Sequence, residues 1–344
     1  MLFIALFVLS AFFNVMGLIR SLVPGGHGNT ERTRTLEETV IEHTNSDNKL
    51  AVITVDGVIS SGEVDRSGMS LQEFVKEQLK AAEADKDVKA VILKVDSPGG
   101  EVLASDEINM ELRKFQDRSH KPVVVSMGTL AASGGYYISA PARWIVANDL
   151  TITGSIGVIM HGYNYRKLMD KIGLRPHVYK SGKFKDMLSG EREPDDVSPE
   201  DEKTRAEEDA MVQALIDETY NKFKSVVQSG RDAAAKANAG EGKSLVPNWT
   251  EYADGRILSG HQALERGFVD ELGDFDTAVN RAEKLTSISS ANLIEYHVPV
   301  DLGAVLSHVL GKSEAPALKV DLGWDMPKLQ IGRLYFMAPT TLPH

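Results

Sequence analysis

The sequence predicts an α/β protein in which a parallel sheet is layered between helices, preceded by one N-terminal transmembrane helix. Two apolar runs, over residues 88–96 and 121–127, are typical of strands that are buried on both faces of a sheet. Apolar residues at helical spacing over residues 71–84 predict a helix shortly before the first of these runs. Strands that alternate with helices in this way indicate parallel strands in a layered domain.

The composition is that of an ordinary globular protein and excludes several classes of function. The chain has 344 residues, enough for roughly two domains at about 150 residues each. It carries 38 Lys and Arg against 49 Asp and Glu, a formal net charge of −11, and it has no long basic run, so we expect no nucleic-acid partner. The absence of cysteine excludes disulfide scaffolds, zinc–thiolate sites, iron–sulfur clusters and cysteine nucleophiles.

An uncharged apolar segment near the N-terminus, residues 2–19, predicts a membrane anchor. As a helix it would be about 27 Å long, close to the thickness of the hydrocarbon core of a bilayer. A cleaved signal peptide is the alternative, but the segment has neither a basic start nor a small-x-small cleavage site. We therefore expect a retained anchor over residues 1–20 and a polar linker over residues 21–48. The flanking charges do not decide the orientation, because only the α-amino group precedes the segment and Arg20 follows it.

Further elements are predicted in order along the chain. A strand begins at about residue 50, and a short strand is expected over residues 177–179. Residues 198–201, Ser-Pro-Glu-Asp, have the pattern of a capping box with proline at the first helical position, so a long helix should run from here towards residue 229. Residues 259–285 have the pattern of two helices joined at a glycine.

Two glycine-rich turns each follow a buried strand, Ser97-Pro98-Gly99-Gly100 and Ser133-Gly134-Gly135. Because ligands of parallel sheets bind outside the carboxyl ends of the strands, both turns could face one crevice. Glycines there let backbone N–H groups approach a substrate closely, and two such donors would form an oxyanion hole. Ser133 is then a candidate nucleophile. The alternative is that Ser133 only caps a helix and that the glycines are packing turns.

A serine nucleophile needs a base. His161, His177 and His261 are scattered, and although a Ser-His-Asp triad is not excluded, nothing local supports one. Three lysines, Lys180, Lys183 and Lys185, follow the predicted strand at 177–179. A lysine acts as a base only when neutral, which requires a pKa lowered by about 3 units and therefore a dry, apolar niche. The carboxylate of Asp186 must then point away from the base; simple solvation of each lysine is the alternative.

Five motifs in order along the chain resemble the SppA-type signal peptide peptidases. These are membrane-anchored serine proteases of the Clp/crotonase fold that use a Ser-Lys dyad. The match covers roughly residues 50–285 and consists of VDSPGG at 95–100, AASGGYYIS at 131–139, ITGSIGV at 152–158, KSGKFKDMLS at 180–189 and GRILSGHQALERGFVDELG at 255–273. The fold implied is a Clp/crotonase-like layered α/β fold with a parallel sheet.

The resemblance implies a role for individual residues. Ser133 corresponds to the nucleophile, Lys185 rather than Lys180 or Lys183 to the general base, and Gly100 and Gly134 to the oxyanion hole. No metal and no cofactor are implied. Because the chain holds one copy of each motif, it should form a homo-oligomeric ring, expected to be an octamer, in which neighbouring protomers share the dyad.

The resemblance also implies partners and a location. Expected substrates are signal peptides and other hydrophobic segments, which the enzyme would cleave through an acyl-enzyme intermediate. The expected location is the bacterial inner membrane, with one membrane pass and the catalytic domain outside the cytoplasm.

The peptidase domain is predicted over residues 49–290 and a C-terminal extension over residues 291–344. Within the extension, residues 322–339 are rich in apolar and aromatic side chains that could pack on a neighbour or touch the membrane. Two other functions stay open on the sequence. One is a non-catalytic membrane scaffold ring, and the other is an acyl-CoA enzyme that uses the same glycine turns for a thioester enolate.

Overall fold

The computed structural model describes residues 36–62, 69–192, 198–299 and 334–338. The predicted anchor over residues 1–20 lies outside these ranges. Among the helices within them, none has the length and apolar character needed to cross a bilayer.

Strands and helices alternate along most of the described chain. The strands are β1 Glu37–Glu42, β2 Lys49–Asp56, β3 Val88–Ser97, β4 Gly99–Glu101, β5 Val123–Ala132, β6 Trp144–Ala147, β7 Ile152–Gly154, β8 Ile159–Met160, β9 Ile257–Ser259, β10 Glu271–Leu272, β11 Asn292–His297 and β12 Leu334–Met337. The α-helices are α1 Leu71–Ala84, α2 Val102–Ser119, α3 Gly134–Ser139, α4 Arg166–Lys171, α5 Pro199–Ala237, α6 Gly260–Glu265 and α7 Phe275–Thr286, and a 3-10 turn covers Trp249–Tyr252.

The main sheet has the strand order β1-β11-β2-β3-β5-β6-β10. All neighbouring strands from β11 to β10 are parallel, and β1 pairs antiparallel with β11 at one edge. The end of β5 pairs in parallel with β7, which pairs antiparallel with β9. A second, small sheet has the order β4-β12-β8. The predicted mixed α/β fold with a parallel sheet is confirmed.

The central strands are buried on both faces, as their continuous apolar sequences predict. In β3, Val91 and Leu93 belong to the larger apolar core, which also includes residues of α1 and α2. Their neighbours Ala90 and Ile92 point to the opposite face and pack in a second core with residues of α7. Since successive side chains of a strand alternate between faces, helices must cover both sides of the sheet. The chain is therefore layered with the sheet in the middle.

Two local predictions need correction. Residues 177–179 do not form a strand; Val178 is 53% exposed and Tyr179 92% exposed, and the ring of Tyr179 stacks on that of His177. Without a neighbouring strand to accept its hydrogen bonds, an apolar triplet of this kind stays irregular. The capping box at Ser198 is confirmed, but α5 continues beyond residue 229 to Ala237.

A buried ion pair joins α5 to the sheet. The guanidinium of Arg231 lies 2.5 Å from the Asp270 carboxylate, and both side chains are completely inaccessible to solvent. Asp270 also accepts hydrogen bonds from the backbone N–H groups of Ile145, at 2.9 Å, and Lys243, at 3.0 Å. These bonds replace much of the water that the carboxylate loses on burial. The Asp270 side chain, directly before β10, thus links Arg231 of α5, Ile145 of β6 and the loop that contains Lys243.

Replacing Arg231 with alanine should lower the free energy of unfolding by about 3–5 kcal/mol, because it leaves the Asp270 carboxylate buried without its counter-charge. Urea unfolding followed by circular dichroism measures the change. The control is Arg256→Ala, which removes an ion pair to Asp254 whose side chains are both about half exposed, and it should cost about 1 kcal/mol or less. Equal losses in the two variants would contradict a special role for the buried pair.

Candidate active site

Ser133 lies between the carboxyl end of β5 and the start of α3, in a backbone conformation that few residues adopt. Its φ and ψ angles are 54° and −114°, and a non-glycine residue in such a region costs about 1–3 kcal/mol. Two backbone hydrogen bonds of 2.8 Å hold the turn, one from the Ser133 N–H to the carbonyl of Gly154 and one from the Tyr137 N–H to the carbonyl of Ser133. β7 and α3 therefore fix the strained residue from both sides.

The hydroxyl of Ser133 is buried without a partner. The side chain is at the N-cap position of α3 but forms no capping hydrogen bond, and its Oγ has no hydrogen-bond partner among the described residues. By contrast, the hydroxyl of Ser259 caps α6 by accepting from the Gln262 N–H at 3.2 Å. The alternative that Ser133 serves as a helix cap is therefore wrong. A buried and unpaired hydroxyl costs free energy, which points to a functional use.

The two glycine-rich turns lie against each other, as the sequence predicts. A methyl group added at Gly134 would lie 3.0 Å from the Cα of Gly99 and 3.1 Å from the amide nitrogen of Gly100. A methyl group at Gly99, whose φ is +100°, would lie 2.6 Å from the amide nitrogen of Gly134. Only residues without side chains permit this approach. The N–H groups of Gly100 and Gly134 thus belong to one small region beside Ser133.

The structure does not bring the predicted base to the nucleophile within one chain. The side chain of Lys185 is exposed, and among the described residues its Nζ makes no hydrogen bond or ion pair. The other two candidates are engaged elsewhere: Lys180 pairs with Asp186 at 2.7 Å, and Lys183 pairs with Glu207 at 2.7 Å. Of the three lysines, Lys185 alone has a free ammonium group in the described part of the chain.

The carboxylate of Asp186 is directed to residues other than Lys185. It accepts a hydrogen bond from Lys180 and lies 3.9 Å from the guanidinium of Arg192. Burial alone would raise its pKa, but the hydrogen bond from Lys180 and the charge of Arg192 outweigh burial, so the pKa of Asp186 lies below its usual range. This arrangement meets the requirement that Asp186 point away from Lys185.

The segment that carries Lys185 is tied to the first part of α5. Arg192 forms an ion pair of 2.5 Å with Glu208, whose side chain is only 7% exposed. The Lys183–Glu207 pair lies beside it but is more exposed. Because the second half of α5 is joined to the sheet by Arg231, this helix connects the Lys185 segment to the core that holds Ser133.

None of the histidines singled out in the sequence contacts Ser133 in the described structure. His177 stacks on Tyr179, and His261 lies 3.5 Å from the carboxylates of Asp149 and Glu265 on the surface. Since Ser133 Oγ has no hydrogen-bond partner among the described residues, these groups form no Ser-His-Asp triad within the chain.

The structure adds a feature that the sequence did not assign to the site. β12 lies within the predicted C-terminal extension and pairs antiparallel with β4, which contains Gly100, and with β8. The local signal was present as the apolar and aromatic run LYFM, but its pairing partner β4 is more than 200 residues away in the chain. Phe336 of β12 is completely buried.

Comparisons with known proteins identify relatives over most of the chain. The model of peptidase family S49 matches residues 115–289. A protein of Enterococcus faecium named as a signal peptide peptidase SppA is 37% identical over 265 residues, which are 76% of this chain and 70% of the relative. Protease 4 of Haemophilus influenzae is 36% identical over 247 residues, 72% of this chain but only 36% of the longer relative. A solved membrane-bound stomatin-specific protease has 16% identity and a TM-score of 0.43, covering 74% of this chain and all of its own.

Replacing Gly100 with alanine should lower the free energy of unfolding by about 1–3 kcal/mol, the usual range for an added methyl group in a packed site. The methyl carbon would lie 1.9 Å from the carbonyl oxygen of Ile59, so the backbone must shift. Urea unfolding measures the cost. The matched control is Gly162→Ala, where the added methyl group has open space, and its effect should stay within about 0.5 kcal/mol. If both variants were equally stable, β4 would be looser than the structure indicates.

Proposed function

The chain belongs to peptidase family S49 and is a serine protease of the SppA type, and from this membership we propose that it is a membrane-anchored endopeptidase that uses Ser133 as nucleophile and Lys185 as general base. Its substrates are hydrophobic peptides, including signal peptides left in the membrane after their release from secreted proteins. The reaction passes through an acyl-enzyme intermediate on Ser133.

The observation that carries this proposal is the state of Ser133. Its hydroxyl is buried, has no partner in the described chain, and sits on a strained turn beside the N–H groups of Gly100 and Gly134. A serine with only a structural role would be expected to form a hydrogen bond at this position. Its strained backbone could also relax without any loss of function. A nucleophile instead needs an unengaged hydroxyl next to donors for the oxyanion.

The reaction follows from these groups. Ser133 Oγ attacks the carbonyl carbon of the scissile bond while the neutral amine of Lys185 accepts the hydroxyl proton. The carbonyl oxygen becomes negative, and the N–H groups of Gly100 and Gly134 donate hydrogen bonds to it. The scissile C–N bond then breaks as Lys185 gives this proton to the leaving amine. A water molecule attacks the acyl carbon while the same lysine accepts its proton. The bond from the acyl carbon to Ser133 Oγ breaks, and the lysine returns the proton to Oγ.

The position of Lys185 supports a dyad that is shared between protomers. Within one chain its side chain is exposed and does not reach Ser133, whereas a lysine base must be desolvated to be neutral. A neighbouring copy that covers Lys185 would supply both the burial and the missing partner. We therefore propose a homo-oligomeric ring, an octamer, in which Lys185 of one protomer serves Ser133 of the next.

The membrane part of the proposal rests on the sequence and on the relatives. Residues 2–19 carry no charge, and a protein named as an SppA signal peptide peptidase is among the relatives. We propose one membrane pass in the bacterial inner membrane with the catalytic domain outside the cytoplasm. An enzyme held at the membrane surface meets peptides that partition into the bilayer.

Replacing Ser133 or Lys185 with alanine should reduce the cleavage of a hydrophobic reporter peptide by at least about 1,000-fold, because each variant lacks one half of the dyad. The control is Lys183→Ala, which removes a surface pair to Glu207 and should leave cleavage nearly unchanged. Size-exclusion chromatography checks that the variants assemble like the wild type. Full activity of either alanine variant would rule out the dyad.

A mixture of the two inactive variants tests the sharing of the dyad. Ser133→Ala and Lys185→Ala chains are unfolded together, refolded and assayed. If neighbouring protomers share the dyad, mixed rings contain intact Ser133–Lys185 pairs and activity returns to about a quarter of the wild-type value, the fraction of neighbour pairs with both residues intact in a random equal mixture. An inactive mixture that forms mixed rings would place both residues in the same chain.

Deleting residues 1–20 should release the protein from membranes, because the apolar segment supplies the affinity for the bilayer. Sedimentation of cell lysates, followed by alkaline extraction of the pellet, compares the full chain with the deletion variant. The deletion variant should stay in the supernatant and still cleave soluble hydrophobic peptides. A full chain that alkali extracts from the pellet would argue against an integral anchor.

A further inference from the structure

β5 changes its neighbour part-way along its length, shortly before it reaches Ser133. Residues 124–127 pair with β6, whereas residues 130–132 pair with β7. On its other side, β5 pairs with β3 before and after this change, but a single residue of β3, Asp96, lies opposite three residues of β5, 128–130. The extra residues form a bulge, and a bulge bends a strand and redirects the side chains that follow it. The direction in which β5 enters the Ser133 turn is therefore set at this bulge.

The carboxylate of Asp96 lies against the bulge and accepts hydrogen bonds from it. Its Oδ2 accepts from the N–H of Thr129 at 3.3 Å, and its Oδ1 accepts from the N–H of Leu130 at 3.1 Å. The bulge interrupts the regular ladder in which strand carbonyls would accept from such groups. A carboxylate suits this place because it only accepts hydrogen bonds and has two oxygens to offer. The Asp96 side chain thus holds two successive N–H groups of the bulge.

Gly128, the first residue of the bulge, lets the Asp96 carboxylate come this close to β5. A methyl group added at Gly128 would lie 2.7 Å from Oδ2 of Asp96 and 2.9 Å from its carboxyl carbon. Gly128 is not among the glycines with a positive φ, so its backbone conformation does not require a glycine. The contact with the carboxylate does, because any side chain would occupy the place of the oxygen.

The bulge is connected to Ser133 by two buried residues. Ala131 and Ala132 follow Leu130, are completely inaccessible to solvent and pair with β7. The Ser133 N–H then donates to the carbonyl of Gly154, the last residue of β7, at 2.8 Å. A close-packed interior transmits strain instead of absorbing it. A shift of the bulge would therefore be passed along this short segment to the Ser133 turn.

We propose that Asp96 is a positioning residue for the nucleophile: by holding the bulge of β5, its carboxylate orients the Ser133 hydroxyl towards the carbonyl of the substrate. The inference rests on the proposed function, because it takes Ser133 as the nucleophile. Asp96 acts through the backbone of β5 and not through contact with the reacting atoms. It adds a third side chain to those on which cleavage depends.

The test compares two replacements of Asp96 that have nearly the same shape, in the full chain in detergent. Asp96→Leu offers no acceptor to the bulge and should lower kcat for the hydrophobic reporter peptide by about 100-fold, the effect of displacing a reacting group by about 1 Å, while KM changes by less than about twofold. Asp96→Asn keeps one carbonyl oxygen and should restore kcat to within about fivefold of the wild type. A folded Asp96→Leu protein with unchanged kcat would overturn the inference, and so would an Asp96→Asn protein as inactive as Asp96→Leu.

The matched control is Asp56→Leu. Asp56 of β2 is the register partner of Asp96, so this variant removes the same charge from the same end of the sheet. The Asp56 side chain is exposed, and kcat should stay within about twofold of the wild type. An equal loss of kcat in Asp56→Leu and Asp96→Leu would mean that the charge at this end of the sheet matters and not the bonds to the bulge, which would contradict the proposal.

Gly128→Ala provides a second variant in case Asp96→Leu does not fold. The added methyl group would push the carboxylate away from the bulge without removing it, so kcat should fall by about tenfold at a nearly unchanged KM. The control Gly162→Ala, where the added methyl group has open space, should keep the wild-type kcat. A stable Gly128→Ala protein with the wild-type kcat would argue against a role of the Asp96 contact in catalysis.

Covalent labelling separates this inference from the catalytic proposal. The probe is a fluorescent fluorophosphonate, and peptide mapping by mass spectrometry identifies the residue that it modifies. Ser133 should be labelled in the wild type and at least about tenfold more slowly in Asp96→Leu. Labelling of Ser133 at equal rates in the two proteins would overturn the inference and leave the nucleophile in place. A wild-type protein that is not labelled at Ser133 would overturn the nucleophile and this inference with it.

Discussion

The site depends on the contact of two backbone turns that carry no side chains. Parallel pairing of β3 with β5, with Ser97 opposite Ala131, brings the turns after these strands to the same edge of the sheet. The two turns then lie so close that a methyl group added at Gly134 would be only 3.0 Å from the Cα of Gly99 and 3.1 Å from the nitrogen of Gly100. Any side chain there would push the turns apart and move their N–H groups. The long apolar strands are thus what position the donors beside Ser133.

The local sequence pattern was sufficient to predict the layered α/β fold and the two glycine-rich turns. Both depend on a few consecutive residues: a continuous apolar run for a strand buried on both faces, and glycine directly after a strand for a turn. It was not sufficient for β12, whose pairing joins Phe336 to Gly100 across more than 200 residues. It was wrong for residues 177–179, since an apolar triplet becomes a strand only where a partner edge exists. Nor does one chain contain the surroundings of Lys185, whose predicted role requires burial that the single chain does not provide.

The strained residue Ser133 and the interactions that stabilise the fold lie in different parts of this structure. The strained Ser133 and its unpaired hydroxyl are unfavourable for folding, each by about 1–3 kcal/mol. The Asp270 carboxylate, by contrast, is enclosed and accepts three hydrogen bonds, from Arg231, Ile145 and Lys243, where α5 meets the sheet. Because the contact between α5 and the sheet holds the surrounding fold, the Ser133 turn can stay in a strained conformation that it would not keep in isolation. Tyr136 and Tyr137 of α3, both completely buried, also fix this turn by packing in the core.

The length of α5 sets the separation of two parts of the structure. Its 39 residues span about 58 Å, with Glu208 holding the Lys185 segment near one end and Arg231 fixed in the core near the other. The helix therefore sets the distance between the segment that carries Lys185 and the core that holds Ser133. Inserting or deleting a single residue between these points would turn the Lys185 segment by about 100° around the helix axis and shift it by about 1.5 Å.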